Sequence, residues 1–269
     1  MEYTFTELCW LFLIYSFIGW VIEAAVGTIK NRRFTNRGFS TGPFCIVYGI
    51  AAVVMSVTLT ELIDNPVFLF IGCGVQATVI EWITGKTLER LNRRKWWDYS
   101  GKKMNFDGYI CLQYTLLWAV LGVLCLKYGN TFFLFLYNFI PQPVPAIISY
   151  ILIGYVALDA ALSLAAVLHL RKQPAKTGRP AGRITLRLYH AASSLINHVE
   201  RRMTKAYPVF EERAEEILKE GRFAEGCGFY KLFWLFLTGA LLGDITETIF
   251  CRLTSGVWMS RSSLVWGPF

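Results

Sequence analysis

Three glutamates lie inside apolar stretches of this 269-residue chain, each in a row of small residues: Gly19-Glu23-Gly27, Ala77-Glu81-Gly85 and Gly243-Glu247-Cys251. A spacing of four residues puts each row on one face of a helix. Gly239 extends the last row to a GxxxG pattern. A charged side chain at mid-membrane costs about 2.5–3.5 kcal/mol on insertion scales, so a carboxylate that recurs three times needs a reason. Two readings fit. The glutamates line a polar seam with a pathway or gating role, or they accept hydrogen bonds from loop arginines or tryptophans and fasten helices together. In both, Gly19, Gly27, Gly85, Gly239 and Gly243 let a neighbouring helix approach closely and turn the carboxylates toward the bundle interior. Asp159, with Ser163 one turn on, and Asp244 add further ionisable groups to the same seam.

The elements that must position these residues are membrane helices. Apolar and aromatic residues make up 54% of the chain and charged ones 17%, which argues against a soluble globular fold. Apolar runs predict six spans, at about residues 8–29, 42–63, 67–88, 110–128, 146–170 and 230–253. The run 131–140 is only half a membrane thick, and Pro141, Pro143 and Pro145 cut it from the next apolar run, so it reads as an interfacial or re-entrant helix. The expected fold is an all-α polytopic bundle. Residues 1–170 form a five-span membrane domain, 171–229 a helical linker, and 230–269 the opening of a further repeat. The start, MEYTFTELCW, has no basic n-region and no small-residue cleavage site after it, so the first span is expected to stay in the mature protein. The seven cysteines are scattered without a CxxC pair and read as small core- or lipid-facing residues.

Basic residues sort between the loops. Lys30, Arg32, Arg33 and Arg37 fill the first, none falls in the second, and Arg90, Arg93, Arg94, Lys95, Lys102 and Lys103 fill the third. The positive-inside rule then puts the amino terminus outside and these loops in the cytoplasm. Asn36, Trp96, Trp97 and Asp98 stand among the same residues, with Phe34, Phe39 and Tyr99. Next to membrane spans this mixture reads as a cationic and aromatic belt rather than a nucleic-acid site, serving as simple anchoring or as a lipid-headgroup or anionic-substrate mouth. In the linker, Leu188, Ala192, Leu195, Val199 and Met203 recur at helical spacing between basic residues, predicting an amphipathic helix that covers the bundle's cytoplasmic end or lies on the anionic leaflet. An acidic stretch, from Glu211 to Glu220, comes after Pro208.

Two parts of the chain match in order. Trp10-Leu-Phe-Leu, Gly19, Glu23, Arg37 and Gly42-Pro-Phe44 align with Trp234-Leu-Phe-Leu, Gly243, Glu247, Arg261 and Gly267-Pro-Phe269. Such a match points to an internal duplication whose second copy stops where its next span would begin, so the chain is expected to belong to a longer protein. With six spans the copies would be inverted, a known transporter device. With an extra crossing at 131–140 they would be parallel.

The stretches YSFIGWVIE (Tyr15 to Glu23), NRGFSTGPFCIVYG (Asn36 to Gly49), VIEW (Val79 to Trp82) and WWDYS (Trp96 to Ser100) together resemble the bacterial family of type IV, CmpB-like ABC-transporter permeases. The resemblance covers about residues 8–163, and this chain departs from the family pattern at Ile46 and at Ser40-Thr41. It implies a permease-type protein of the bacterial inner membrane, set in a lipid bilayer, with a separate ABC ATPase as partner; independently of the resemblance, a homo-oligomer is a further candidate assembly. The chain itself carries no phosphate loop. Gly85-Lys-Thr87 looks like the end of one, but the glycine needed five residues earlier is Ile80.

His169, His190 and His198 are too dispersed for a metal triad, and no nucleophile elbow is present, so no metal, cofactor or catalytic residue is expected. The leading reading is a permease subunit in which Glu23, Glu81 and Glu247 line the seam, with Arg32, Arg33 and Arg37 at its cytoplasmic mouth. The alternatives are a membrane-embedded enzyme acting on lipid headgroups and a non-catalytic scaffold or sensor.

Overall fold

The computed structural model describes residues 3–36, 39–92, 95–171 and 229–255. The expected linker helix and acidic stretch, Arg37, Arg93, Arg94, His190, His198, and the second Gly-Pro-Phe lie outside the described residues.

Helix α1 (Phe5–Asn31) starts at a capping box: the Thr4 amide donates to Glu7 Oε2 at 2.8 Å and the Glu7 amide to Thr4 Oγ1 at 3.4 Å. It ends where Arg32 turns left-handed, at φ 51°. The chain then re-enters the bundle. The Cys45 amide donates to the Ser16 carbonyl at 2.8 Å, and α2 (Ile46–Thr58) starts from there. Ser16 lies about 22 Å below Asn31 along α1, at about 1.5 Å per residue, so residues 39–45 are irregular backbone at the depth of the helices. The expected span over 42–63 is thereby corrected: only 13 residues are α-helical, about 20 Å, less than a bilayer core. Pro43 and the capture of the Thr41 and Gly42 amides by Asp159 keep the preceding residues out of the helix.

A single 3₁₀ turn (Thr60–Leu62) leads to α3 (Pro66–Asn92). A two-stranded hairpin, β1 (Asn105–Phe106) and β2 (Ile110–Cys111), precedes α4 (Leu112–Leu124). Asp107 and Gly108, in the three-residue loop between Phe106 and Ile110, have φ 54° and 72°, and the Tyr109 amide donates to the Phe106 carbonyl at 3.1 Å, a doubly left-handed turn of the kind Asp-Gly favours. Helix α4 runs through a π turn (Cys125–Gly129) straight into α5 (Asn130–Phe139). The segment 131–140 is therefore not a separate interfacial helix; it completes a 28-residue apolar span, Leu112–Phe139. The expected end of the fourth span at about residue 128 is corrected with it, because the π turn carries the helix on through Gly129. The Tyr15 hydroxyl donates to the Cys125 carbonyl at 3.2 Å and interacts with Asn130 Oδ1 at 3.0 Å, while Asn130 Nδ2 donates to Ser56 Oγ at 2.7 Å.

Helices α6 (Val144–Arg171) and α7 (Phe229–Ser255) complete the described residues. Among the described residues, four helical stretches are long and apolar enough to cross a bilayer, Phe5–Lys30, Pro66–Leu91, Leu112–Phe139 and Val144–Ala165, so this is a multi-pass helical membrane protein. Interior contacts pair α3 with α4 and α1 with α2 and α6, while large apolar side chains such as Phe132, Phe135, Ile151 and Leu158 point outward, as a lipid-facing surface requires.

Candidate functional site

Glu23 is set by the close approach of two helices. A Cβ on Gly19 would run into the Tyr48 ring, and one on Gly49 into Ser16 and Phe12, so α2 lies against α1 at backbone distance. That contact delivers the Tyr48 hydroxyl to Glu23 Oε1 at 3.0 Å. The Tyr48 ring in turn meets Trp118 of α4 edge-on, with centroids 5.5 Å apart.

Glu81 stands on the other side of that pair. The Trp118 indole and the Tyr99 hydroxyl both engage its carboxylate, Tyr99 at a long 3.4 Å to Oε1, and Glu81 also feels the charge of Glu23. Its Oε2 is buried without a hydrogen-bond partner among the described residues. Tyr99 stacks on Tyr114 at 4.5 Å; burial, and then the adjoining Glu81 charge, pushes the Tyr99 hydroxyl above its usual titration range. Glu23, Tyr48, Trp118, Glu81, Tyr99 and Tyr114 thus form one chain of carboxylates and rings across α1, α2, α3, α4 and the segment that precedes the hairpin.

Asp159 forms a second polar centre. Its Oδ2 accepts the Ser40 hydroxyl at 2.5 Å and the Gly42 amide at 2.8 Å, and its Oδ1 accepts the Thr41 amide at 3.3 Å. Irregular backbone at membrane depth is tolerated only where protein or water satisfies it, and one carboxylate of α6 does so here. Ser163 is fully buried one turn on, with no hydrogen-bond partner for its hydroxyl among the described residues.

The belt residues act mainly as fasteners. Asn36 accepts the Trp20 indole at 3.1 Å and donates to the Thr41 carbonyl at 3.0 Å. Trp96 is buried and lies 5.9 Å from the Phe39 ring, and the Trp97 indole donates to the Tyr109 carbonyl at 2.8 Å. Asp98 accepts the Ser100 amide at 2.9 Å. Arg32 and Arg33 are exposed. Tyr109 caps Gly85, donates to Glu89 and lies under Lys86 and Lys95, while Lys86 pairs with Asp107 at 3.2 Å. Gly85 therefore faces a hairpin ring, and Gly27 is buried in α1.

The third glutamate does not join the other two. Glu247 is exposed, and none of the described residues lies within 4 Å of where a Cβ on Gly239 or Gly243 would be. The Asp244 side chain is outside the described residues. Helix α7 is held instead by Trp234, which is buried against Phe106, Tyr109 and Ile110 and donates to the Met104 carbonyl at 3.2 Å. Sequence reasoning missed Tyr48 and Trp118 as carboxylate partners and Ser40 to Gly42 as the Asp159 ligands. The Asp-Gly pair was the one local signal for the hairpin.

No curated protein and no solved structure matches the chain. The family described as "Putative ABC-transporter type IV" matches residues 10–164, a stretch that includes Glu23, Glu81 and Asp159 and more than half of the chain. The chain belongs to that family, and the two carboxylate centres lie inside its matched region.

Proposed function

We propose that the chain is a permease-type membrane subunit, energised by a separate ABC ATPase, in which Glu23 and Glu81 form the centre of a polar seam. One observation carries this reading: Glu81 Oε2 is buried and without a hydrogen-bond partner among the described residues, in the field of a second carboxylate, Glu23. Purely structural glutamates saturate their oxygens, because an unsatisfied buried acceptor costs about 1–3 kcal/mol. In this reading Asp159 holds the re-entrant segment that flanks the seam, Asp244 and Glu247 belong to a second seam element, and Arg32, Arg33, Arg37, Arg93 and Arg94 surround the mouth. The setting is the bacterial inner membrane, with the amino terminus outside and the basic loops in the cytoplasm.

The test is purification of the full-length protein from native membranes. An ABC ATPase that co-purifies, with ATP turnover that Glu81→Gln reduces at least tenfold while the complex stays intact, supports the reading. A complex whose turnover ignores both Glu81→Gln and Glu23→Gln removes it. The scaffold reading keeps one specific support, the Tyr48 to Glu23 bond between adjacent helices, and it expects a stable partner complex that survives neutralisation of all three glutamates.

A further inference from the structure

We propose that Asp159 Oδ1, Thr41 Oγ1 and Ser163 Oγ form a binding site for a sodium ion, which clamps the re-entrant segment of residues 39–45 onto α6. The placement follows from how the segment runs along the helix. A Cβ on Gly42 would lie 2.6 Å from the Tyr155 hydroxyl oxygen and 3.3 Å from Asp159 Oδ2, so the backbone touches α6 directly. Just before it in the chain, the Thr41 amide reaches Asp159 Oδ1 at 3.3 Å and the Ser40 hydroxyl reaches Oδ2 at 2.5 Å. Tyr155, Asp159 and Ser163 are spaced four apart and share one face of α6. Ser163 is therefore the next group on the face that Gly42, Thr41 and Ser40 pass in turn.

Two oxygens beside that carboxylate are unused. Ser163 is fully buried and Thr41 Oγ1 is buried, yet neither hydroxyl has a hydrogen-bond partner among the described residues. A helical hydroxyl in apolar surroundings can always donate to the carbonyl four residues back. Ser56, Thr78 and Ser149 do so, at 2.7, 2.8 and 2.8 Å. Ser163 does not, and a buried polar group left this way calls for a ligand. Asp159 also has capacity to spare: Oδ2 takes two short donors, whereas Oδ1 has only the long contact to Thr41.

Charge and ligand type select the ion. Carboxylate and hydroxyl oxygens suit hard cations rather than thiophilic metals. No Lys or Arg pairs with Asp159 among the described residues, so its single charge is balanced by one monovalent cation. A divalent ion would leave a net charge among apolar side chains, where it is costly. The backbone contact at Gly42 keeps the gap small, which favours sodium over potassium. None of the seam carboxylates takes part.

The test is binding of radiolabelled sodium to the full-length protein in lipid nanodiscs, with choline chloride holding the ionic strength constant. Saturable binding that Ser163→Ala and Thr41→Val each weaken at least tenfold, and that equimolar potassium does not displace, supports the proposal. Both variants keep the three donors to Asp159, so in choline their melting temperatures should match the parent's. If one of them fails to fold, the other decides. Four results overturn the proposal: no saturable binding, binding that ignores both variants, binding displaced equally by potassium or more strongly by calcium, or binding lost with Glu81→Gln while Ser163→Ala retains it. The last means that the ion sits in the seam instead.

Discussion

Tyr48 covers Gly19 with its ring and binds Glu23 with its hydroxyl, at 3.0 Å, so one side chain both spaces α1 from α2 and satisfies the carboxylate between them. The glycine and the glutamate, one turn apart, work as a single receptor for that tyrosine.

Separating the two roles is straightforward. Tyr48→Phe keeps the ring and removes the donor, and it is expected to lower stability by about 1–3 kcal/mol, the usual cost of leaving a partly buried acceptor short of a partner. Gly19→Val forces the ring away and costs more than Tyr48→Phe. Thermal unfolding in detergent, compared for the two variants, gives the order. Equal losses would mean that the ring contact contributes nothing beyond the hydrogen bond.

Asp159 pins the re-entrant segment through three donors. Asp159→Ala is expected to loosen residues 39–45, because hydrogen bonds to a charged group are each worth about 1.5–3 kcal/mol. A cysteine placed at Thr41 reports this through reaction with a water-soluble maleimide. Labelling should be slow in the parent and at least tenfold faster with Asp159→Ala, and an unchanged rate would show that the segment is held by other contacts.

At the hairpin tip, Gly108 has φ 72°. A side chain there is strained by about 1–2 kcal/mol, so Gly108→Val should weaken the hairpin. Trp234 docks on this platform, which makes loss of protection around residues 229–240 in hydrogen exchange the expected readout.

Alkaline pH should act on the same platform. Burial, and then the hydrogen bond to Glu89, raises the Tyr109 hydroxyl above its ordinary value. A raised folded-state value means that the folded form keeps the proton more tightly. The contribution is therefore fully present below pH about 10, the unfolded value, and is lost as pH rises past it. Denaturation midpoints measured from pH 8 to 11 should fall at the top of the range, and Tyr109→Phe should flatten the fall.

Apolar runs located α1, α3 and α6 to within a few residues, because lipid-facing helices carry their signature along their whole length. The Gly19-Glu23 row was legible for the same reason: residues four apart share a face whatever surrounds them. Its partner was not, since Tyr48 lies in an ordinary apolar stretch and meets Glu23 only through folding. Gly42 to Cys45 read as helix because hydropathy does not register a carboxylate 117 residues away that captures the Gly42 amide. The run 131–140 read as a separate half-helix because it is only half a membrane thick on its own, whereas the structure joins it to the preceding helix through a π turn. The Asp107-Gly108 pair was visible, but the loop around it was read by its charge alone.

The π turn at Cys125–Gly129 sets the angular phase of everything after it. A π turn amounts to one extra residue in an α-helix, and one residue corresponds to about 100° of rotation. Deleting a single residue within it would turn α5 by that angle. Asn130 would swing away from Tyr15 and Ser56, and the Phe133 carbonyl away from the Trp10 indole that donates to it at 3.0 Å. The far half of this span thus keeps its partners through a counting offset, so a one-residue deletion there would disturb the bundle more than most substitutions at the same place.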